Sequence, residues 1–198
     1  MIPLGITAFV GIAAIAFKFL SLSRGRVIPD ALALKISRYE ELETLGQTNT
    51  LEHDVEDGSS TLARLASVAL RHRGKPQADI TLAVEASSRE ETSRLHAGIS
   101  VLDIVITVAP LLGLLGTASG LVTIFDGWSD DSDWVTIGIG IAKALNTTIL
   151  GLAIAVPCVV AHGYFTRRID VFTARLEALL AELANACQAK VDAEKDSD

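Results

Sequence analysis

The sequence predicts an all-α membrane protein of three transmembrane helices, the second and third prolonged into a helical cytoplasmic region. Three stretches carry this expectation. Ile104 to Phe125 holds no charged residue, and about 20 apolar helical residues are enough to cross the roughly 30 Å hydrocarbon core of a bilayer. Val135 to Tyr164 is apolar apart from Lys143, a few Asn and Thr residues and His162. Ile2 to Leu22 is interrupted only by Lys18. Within lipid every backbone polar group has to be bonded inside its own segment, so runs of this length are helices and not strands.

Composition agrees. Apolar residues make up 49% of the 198, charged residues 21%, and the mean hydropathy is +0.40, high for a water-soluble domain. A net charge of -7 and a pI near 5.1 argue against nucleic-acid binding, which calls for a basic patch. The two cysteines, Cys158 in a span and Cys187 in the tail, form no CxxC and no metal set, and both read as structural.

In chain order, residues 1–23 form the first span. A signal peptide is the competing reading, with AIA at Ala14 to Ala16 resembling a cleavage site. Signal peptides place positive charge before the apolar run, whereas Lys18, Arg24 and Arg26 come at or after its end. Lys18 is expected to snorkel to the headgroups. Residues 24–100 form a cytoplasmic helical loop. Pro29 and Asp30 open a segment in which Leu32, Ile36, Tyr39 and Leu42 recur at helical spacing, with Gly46 as a stop. Gln47 to Asp57 is polar and reads as a linker or loop. Ser60 is placed to cap TLARLASVALRHR, which Gly74 and Pro76 end.

Asp79 is placed to cap the next helix, and no proline follows until Pro110. One helix is therefore expected to run from the cytoplasm into the membrane, on the order of 70 Å if unbroken. Residues 101–126 are the second span, 127–134 a short acidic outer loop and 135–166 the third span. Residues 167–198 are a helical tail with an apolar stripe at Phe172, Leu176, Leu179 and Leu183 and a polar end. Arg71, Arg73, Lys75, Arg167 and Arg168 lie on one side, while the connector holds Asp126, Asp130, Asp131 and Asp133 and no base. The positive-inside rule then puts the N-terminus outside and the C-terminus in the cytoplasm.

Polar residues at membrane depth are the functional candidates, because lipid makes them costly. They are Thr107, Thr117, Ser119 and Thr123 in the second span and Lys143, Asn146, Thr147 and Thr148 in the third. Lys143, Asn146, Thr147 and Gly151 share one helix face by spacing, and such a face turns toward protein or water. For an isolated threonine a bond to the carbonyl one turn back, or to a neighbouring helix, is the simpler explanation. Lys143 can equally snorkel outward. Gly113, Gly116 and Gly120, and Gly138, Gly140 and Gly151, permit close backbone approach, within one chain or between copies forming a ring. Pro110 and Pro157 read as local bends.

Enzyme chemistry finds no support. GIGIAK at Gly138 to Lys143 lacks phosphate-loop spacing, and TASG at Thr117 to Gly120 has no GxSxG framework. His53, His72 and His96 show no ligand spacing and read as solvated, and His162 reads as interfacial. The chain is expected to be no enzyme and to need no cofactor or metal.

VALRHRG (Val68 to Gly74), LDIVITVAPLLGLLGTASGL (Leu102 to Leu121) and GIAKALNTTILGLAIAVP (Gly140 to Pro157) resemble the MotA/TolQ/ExbB proton-channel family, in its shorter ExbB/TolQ branch. The four-span flagellar branch fits less well. The resemblance implies a pentameric ring in the bacterial inner membrane around two copies of a single-span ExbD/TolR-like partner whose membrane aspartate carries the proton. A TonB- or TolA-like protein would receive the work, for outer-membrane import or envelope maintenance. It places the two pore threonines at Thr117 and Thr148; Thr147, Asn146 and Lys143, polar residues of the same span, are the further candidates for the ion pathway. Gly113, Gly116, Gly120, Gly151, Pro110 and Pro157 serve helix packing. Lys143 stands where the family's GIAEAL pattern has glutamate, so that glutamate's role does not carry over. A sodium-driven stator and a non-conducting membrane scaffold or receptor remain open at this point.

Overall fold

The computed structural model describes residues 2–39, 41, 49–56, 58–127 and 134–195. Its elements are α1 (Ile2–Ser21), α2 (Arg24–Val27), α3 (Asp30–Ser37), α4 (Asn49–Glu56), α5 (Thr61–Arg71), α6 (Gln77–His96), α7 (Ile99–Asp126) and α8 (Trp134–Lys195). Among the described residues there is no strand. Three helical stretches, in α1, α7 and α8, are long and apolar enough to cross a membrane, with mean hydropathies of 1.9, 2.2 and 2.0. Leu42, Gly46, Asp130, Asp131 and Asp133 lie outside the described residues.

The chain divides into two compact units. The first holds Met1–Leu20 and Gly98–Thr166, hence α1, α7 and the first half of α8. The buried residues of α1 are Leu4, Gly11 and Lys18, which two-turn spacing places in one line. A Cβ on Gly11 would stand 3.0 Å from Cys158 Sγ and 3.2 Å from Val105 Cγ1, so α1 seats against both other spans. Lys18 departs from expectation. Its side chain is 1% exposed, with Cε only 3.3 Å from where a Cβ on Gly98 would be; it packs inside the unit instead of snorkelling outward. Outside the contact faces, Phe9, Leu114, Leu115, Ile149 and Val156 are exposed, an apolar surface suited to hydrocarbon.

The second unit holds Ser21–Ala97 and Arg167–Asp198. Leu32, Ile36 and Tyr39 are buried at the predicted helical spacing. Ser60 accepts a hydrogen bond from the Ala63 N–H at 3.1 Å as the cap of α5, and Gly74 follows that helix with φ +85°. Residues Asn49–Glu56 of the expected linker are instead a helix, which buries Leu51 and Val55; two apolar positions four apart suffice for a polar segment to dock. Asp79 is not a cap. It lies in the first turn of α6, whose N-cap is Pro76 without a side-chain bond.

The tail stripe consists of Ile169, Phe172, Leu176, Leu180, Leu183 and Cys187. Leu180 takes the place expected for Leu179, which is half-exposed, because the stripe follows spacings of three and four that keep to one side of a 3.6-residue helix. Arg64 grips the buried Glu91 as a fork, with Nε to Oε1 at 3.0 Å and a terminal nitrogen to Oε2 at 2.5 Å, and Arg94 adds a bond to Oε1 at 3.1 Å. The hydrogen bonds to Glu91 hold the Arg64 guanidinium above its ordinary pKa.

The helix expected to run unbroken from Asp79 into the membrane is broken. Helix α6 ends at His96, and Gly98 adopts φ +86° before α7 begins. That backbone region is open to glycine and strained for other L-residues.

Candidate ion-pathway site

Helices α7 and the first half of α8 run antiparallel and approach closely because their facing residues lack bulk. A Cβ on Gly113 would lie 2.9 Å from the Thr147 carbonyl oxygen and 3.0 Å from Thr148 Cα, and one on Gly151 would lie 2.6 Å from the Ala109 carbonyl oxygen. These are backbone obstacles that cannot swing aside. Gly116 faces the Thr147 side chain, Gly120 faces Ala144 and Gly140 faces Ile124, whereas Gly138 faces open space. Both Pro110 and Pro157 lie inside continuous helices.

Close approach brings three hydroxyls together. Thr117 Oγ1 lies 2.6 Å from Thr148 Oγ1 and 3.1 Å from Thr147 Oγ1, and also reaches the carbonyl oxygens of Gly113 at 3.2 Å and Ala144 at 3.0 Å. Thr147 donates to the carbonyls of Gly113 at 3.0 Å and Ala144 at 2.7 Å, and Thr148 to that of Gly113 at 3.2 Å. Three hydroxyl protons thus serve more contacts than they can satisfy at once, and each oxygen also accepts. Rotation of the hydroxyls exchanges one bonding pattern for another without moving the backbone. Thr117 is 8% exposed, while Thr147 and Thr148 are half-exposed, so the cluster opens on the α8 side. Thr107 and Thr123 only bond back to Asp103 and Ser119, at 2.9 Å and 3.0 Å, as isolated helical threonines do.

The polar face read on the third span is divided by the structure. Thr147 and Gly151 turn to α7, whereas Lys143 and Asn146 are exposed and do not join the threonines. A pair not foreseen in the sequence is His162 with Asp103, Nε2 to Oδ1 at 3.0 Å. The signal was present in the register: Asp103 stands as far before Thr117 as His162 stands after Thr148. In the second unit His72 and His96 bond through Nδ1 to the carbonyls of Val68 and Thr92, each at 2.9 Å.

Fold and site together define an all-α protein with three membrane-length helices, two of which clasp a hydroxyl cluster. The chain belongs to the MotA/TolQ/ExbB proton channel family, whose sequence profile matches residues 50–178. It is 31% identical over 160 residues to a biopolymer transport protein ExbB homolog of Methanothermobacter thermautotrophicus, covering 76% of this chain and 57% of that protein. It is 36% identical over 87 residues to the biopolymer transport protein ExbB of Helicobacter pylori, covering 43% and 60%. The Tol-Pal system protein TolQ of Pseudomonas aeruginosa is 33% identical over 113 residues, covering 56% and 48%. The chain therefore spans about half to three-fifths of the length of these relatives.

Proposed function

We propose that this chain is the ring-forming subunit of a proton channel in the inner membrane that converts the proton motive force into mechanical work. Five copies, N-terminus outside and C-terminus in the cytoplasm, surround a single-span ExbD/TolR-like partner. The work passes to a TonB- or TolA-like protein for outer-membrane import or envelope maintenance. Names of the relatives, ExbB and TolQ, and the arginines flanking the apolar runs support this reading.

The observation that carries it is the Thr117–Thr148 contact of 2.6 Å within two apolar helices. Threonine neither ionises nor stores a proton, so its part is to orient water and to relay hydrogen bonds. The ionising group comes from the partner. A carboxylate brought beside the cluster has its pKa raised by desolvation, and hydroxyl donors lower it again by bonding to the charged form. Each charge crossing contributes about 2.3 kcal/mol per 100 mV, which biases two arrangements of ring and partner. The test is copurification from native membranes followed by reconstitution. A small single-span protein with an acidic residue at membrane depth is expected in the complex, together with proton flux driven by an imposed potential. An intact ring that takes up no such protein, or flux that follows sodium and ignores the proton gradient, overturns the reading.

A further inference from the structure

Lys143 and Asn146 are exposed on α8 beside the strip that α7 covers, Lys143 one turn before Thr147, and Leu150, 45% exposed, continues that open edge one turn on. Among the described residues nothing pairs with the Lys143 ammonium or the Asn146 amide. The lysine alone can reach the headgroups, but the asparagine is too short to follow. It lies roughly 10 Å inside the uncharged run of α7, judged from the helical rise. An amide facing hydrocarbon there loses its hydrogen bonds at a cost of a few kcal/mol, so the face that carries it is covered by protein or water.

A matching face exists on α7. Ser119, Val122 and Asp126 follow the same i, i+3, i+7 spacing as Lys143, Asn146 and Leu150, and all three are exposed, on the side of α7 away from α8. The levels also agree. Gly120 meets Ala144 and Gly140 meets Ile124, so each step outward on α7 matches a step toward the start of α8. Ser119 is then level with Leu145, next to Asn146, and Asp126 is level with Gly138. Lys143 starts roughly 7.5 Å inward of that level, and helical side chains point back toward the N-terminus, here the outer end.

We infer that the Lys143–Asn146 face of α8 packs against the Ser119–Asp126 face of α7 in a second, same-oriented copy of this chain. The ammonium meets the Asp126 carboxylate and the amide meets the Ser119 hydroxyl. Repeated from copy to copy, this heterologous contact closes a ring. The inference rests on the ring proposed above and specifies which faces build it.

The test is disulfide cross-linking of the full chain in its native membrane, with Cys158 and Cys187 replaced by alanine. Ser119→Cys with Asn146→Cys is expected to give a ladder of covalent oligomers, because within one chain the two positions lie on opposite sides of the helix pair. Ser119→Cys with Leu145→Cys, at the same level on another face, is expected to give none. Adding Lys143→Asp to the first pair should lower the ladder about tenfold by setting two acids together, and Asp126→Lys on top of it should restore the ladder. An oligomer of native size without the ladder, or with a ladder equally strong from the Leu145 control, overturns the inference and leaves the ring standing. A chain that stays monomeric in the membrane overturns both.

Discussion

The Thr117 hydroxyl is the hub of the candidate site, within 3.2 Å of two carbonyls and two other hydroxyls. Thr117→Val keeps the shape and removes the hub. Hydrogen bonds between membrane helices average about 0.6 kcal/mol and reach about 1.7, so the fold should survive with a loss of roughly 1 kcal/mol, measured by denaturant titration in micelles. Proton flux should fall far more than stability does, and a parallel small loss of both would reduce Thr117 to a packing residue. The sequence made the threonines visible because hydroxyls in lipid are rare. It did not reveal their mutual bonds, since those depend on the register of two helices far apart in the chain. Lys143, Asn146, Thr147 and Gly151 looked like one polar face for a related reason. Spacing places them on the same side of a wheel but does not say where along that side the neighbouring helix sits, and of these four α7 covers Thr147 and Gly151 and leaves Lys143 and Asn146 exposed.

At the scale of elements, the contact between α7 and α8 depends on backbone meeting backbone. Gly151→Ala would put a methyl 2.6 Å from the Ala109 carbonyl oxygen, and overpacking of this kind costs about 1–3 kcal/mol. The expected result is a lowered thermal midpoint in detergent together with lost flux, because separation of the helices also parts Thr117 from Thr148. Gly138→Ala, facing open space, should leave both unchanged. Helix caps were legible where side chains announced them, as at Ser60. The break at Gly98 had its own signal, Arg94 and His96 in the last turn followed by glycine, the usual composition of a helix end. An expectation built on the absence of proline passed over it. Helix α4 was harder to see, since a polar octapeptide shows its amphipathic character only when Leu51 and Val55 find a core.

For the whole molecule, the two compact units follow from two solvents. The unit with α1 and α7 brings small residues, Ala109, Gly113, Ala144 and Gly151, to its helix contact and exposes Leu114, Leu115, Ile149 and Val156, whereas the unit with α5 and α6 buries Leu62, Leu65 and Leu95 and holds the buried Glu91 between two exposed arginines. Removing Glu91 leaves Arg64 and Arg94 without their shared carboxylate, and hydrogen bonds to charged groups contribute about 1.5–3 kcal/mol. Glu91→Ala should therefore speed amide exchange across Thr61–Arg71 and Gln77–His96, while exchange in α7 stays slow. Faster exchange in both units alike would show that they unfold as one.

Potential-driven proton flux into vesicles, with the chain and its single-span partner reconstituted together, tests the central claim most directly when wild type, Thr148→Ala and Thr148→Ser are compared at equal assembly. The hydroxyl account predicts that flux falls by at least about tenfold in Thr148→Ala, the factor that 1.4 kcal/mol represents, and that serine restores most of it. Unchanged flux in Thr148→Ala, with the complex intact, would contradict it.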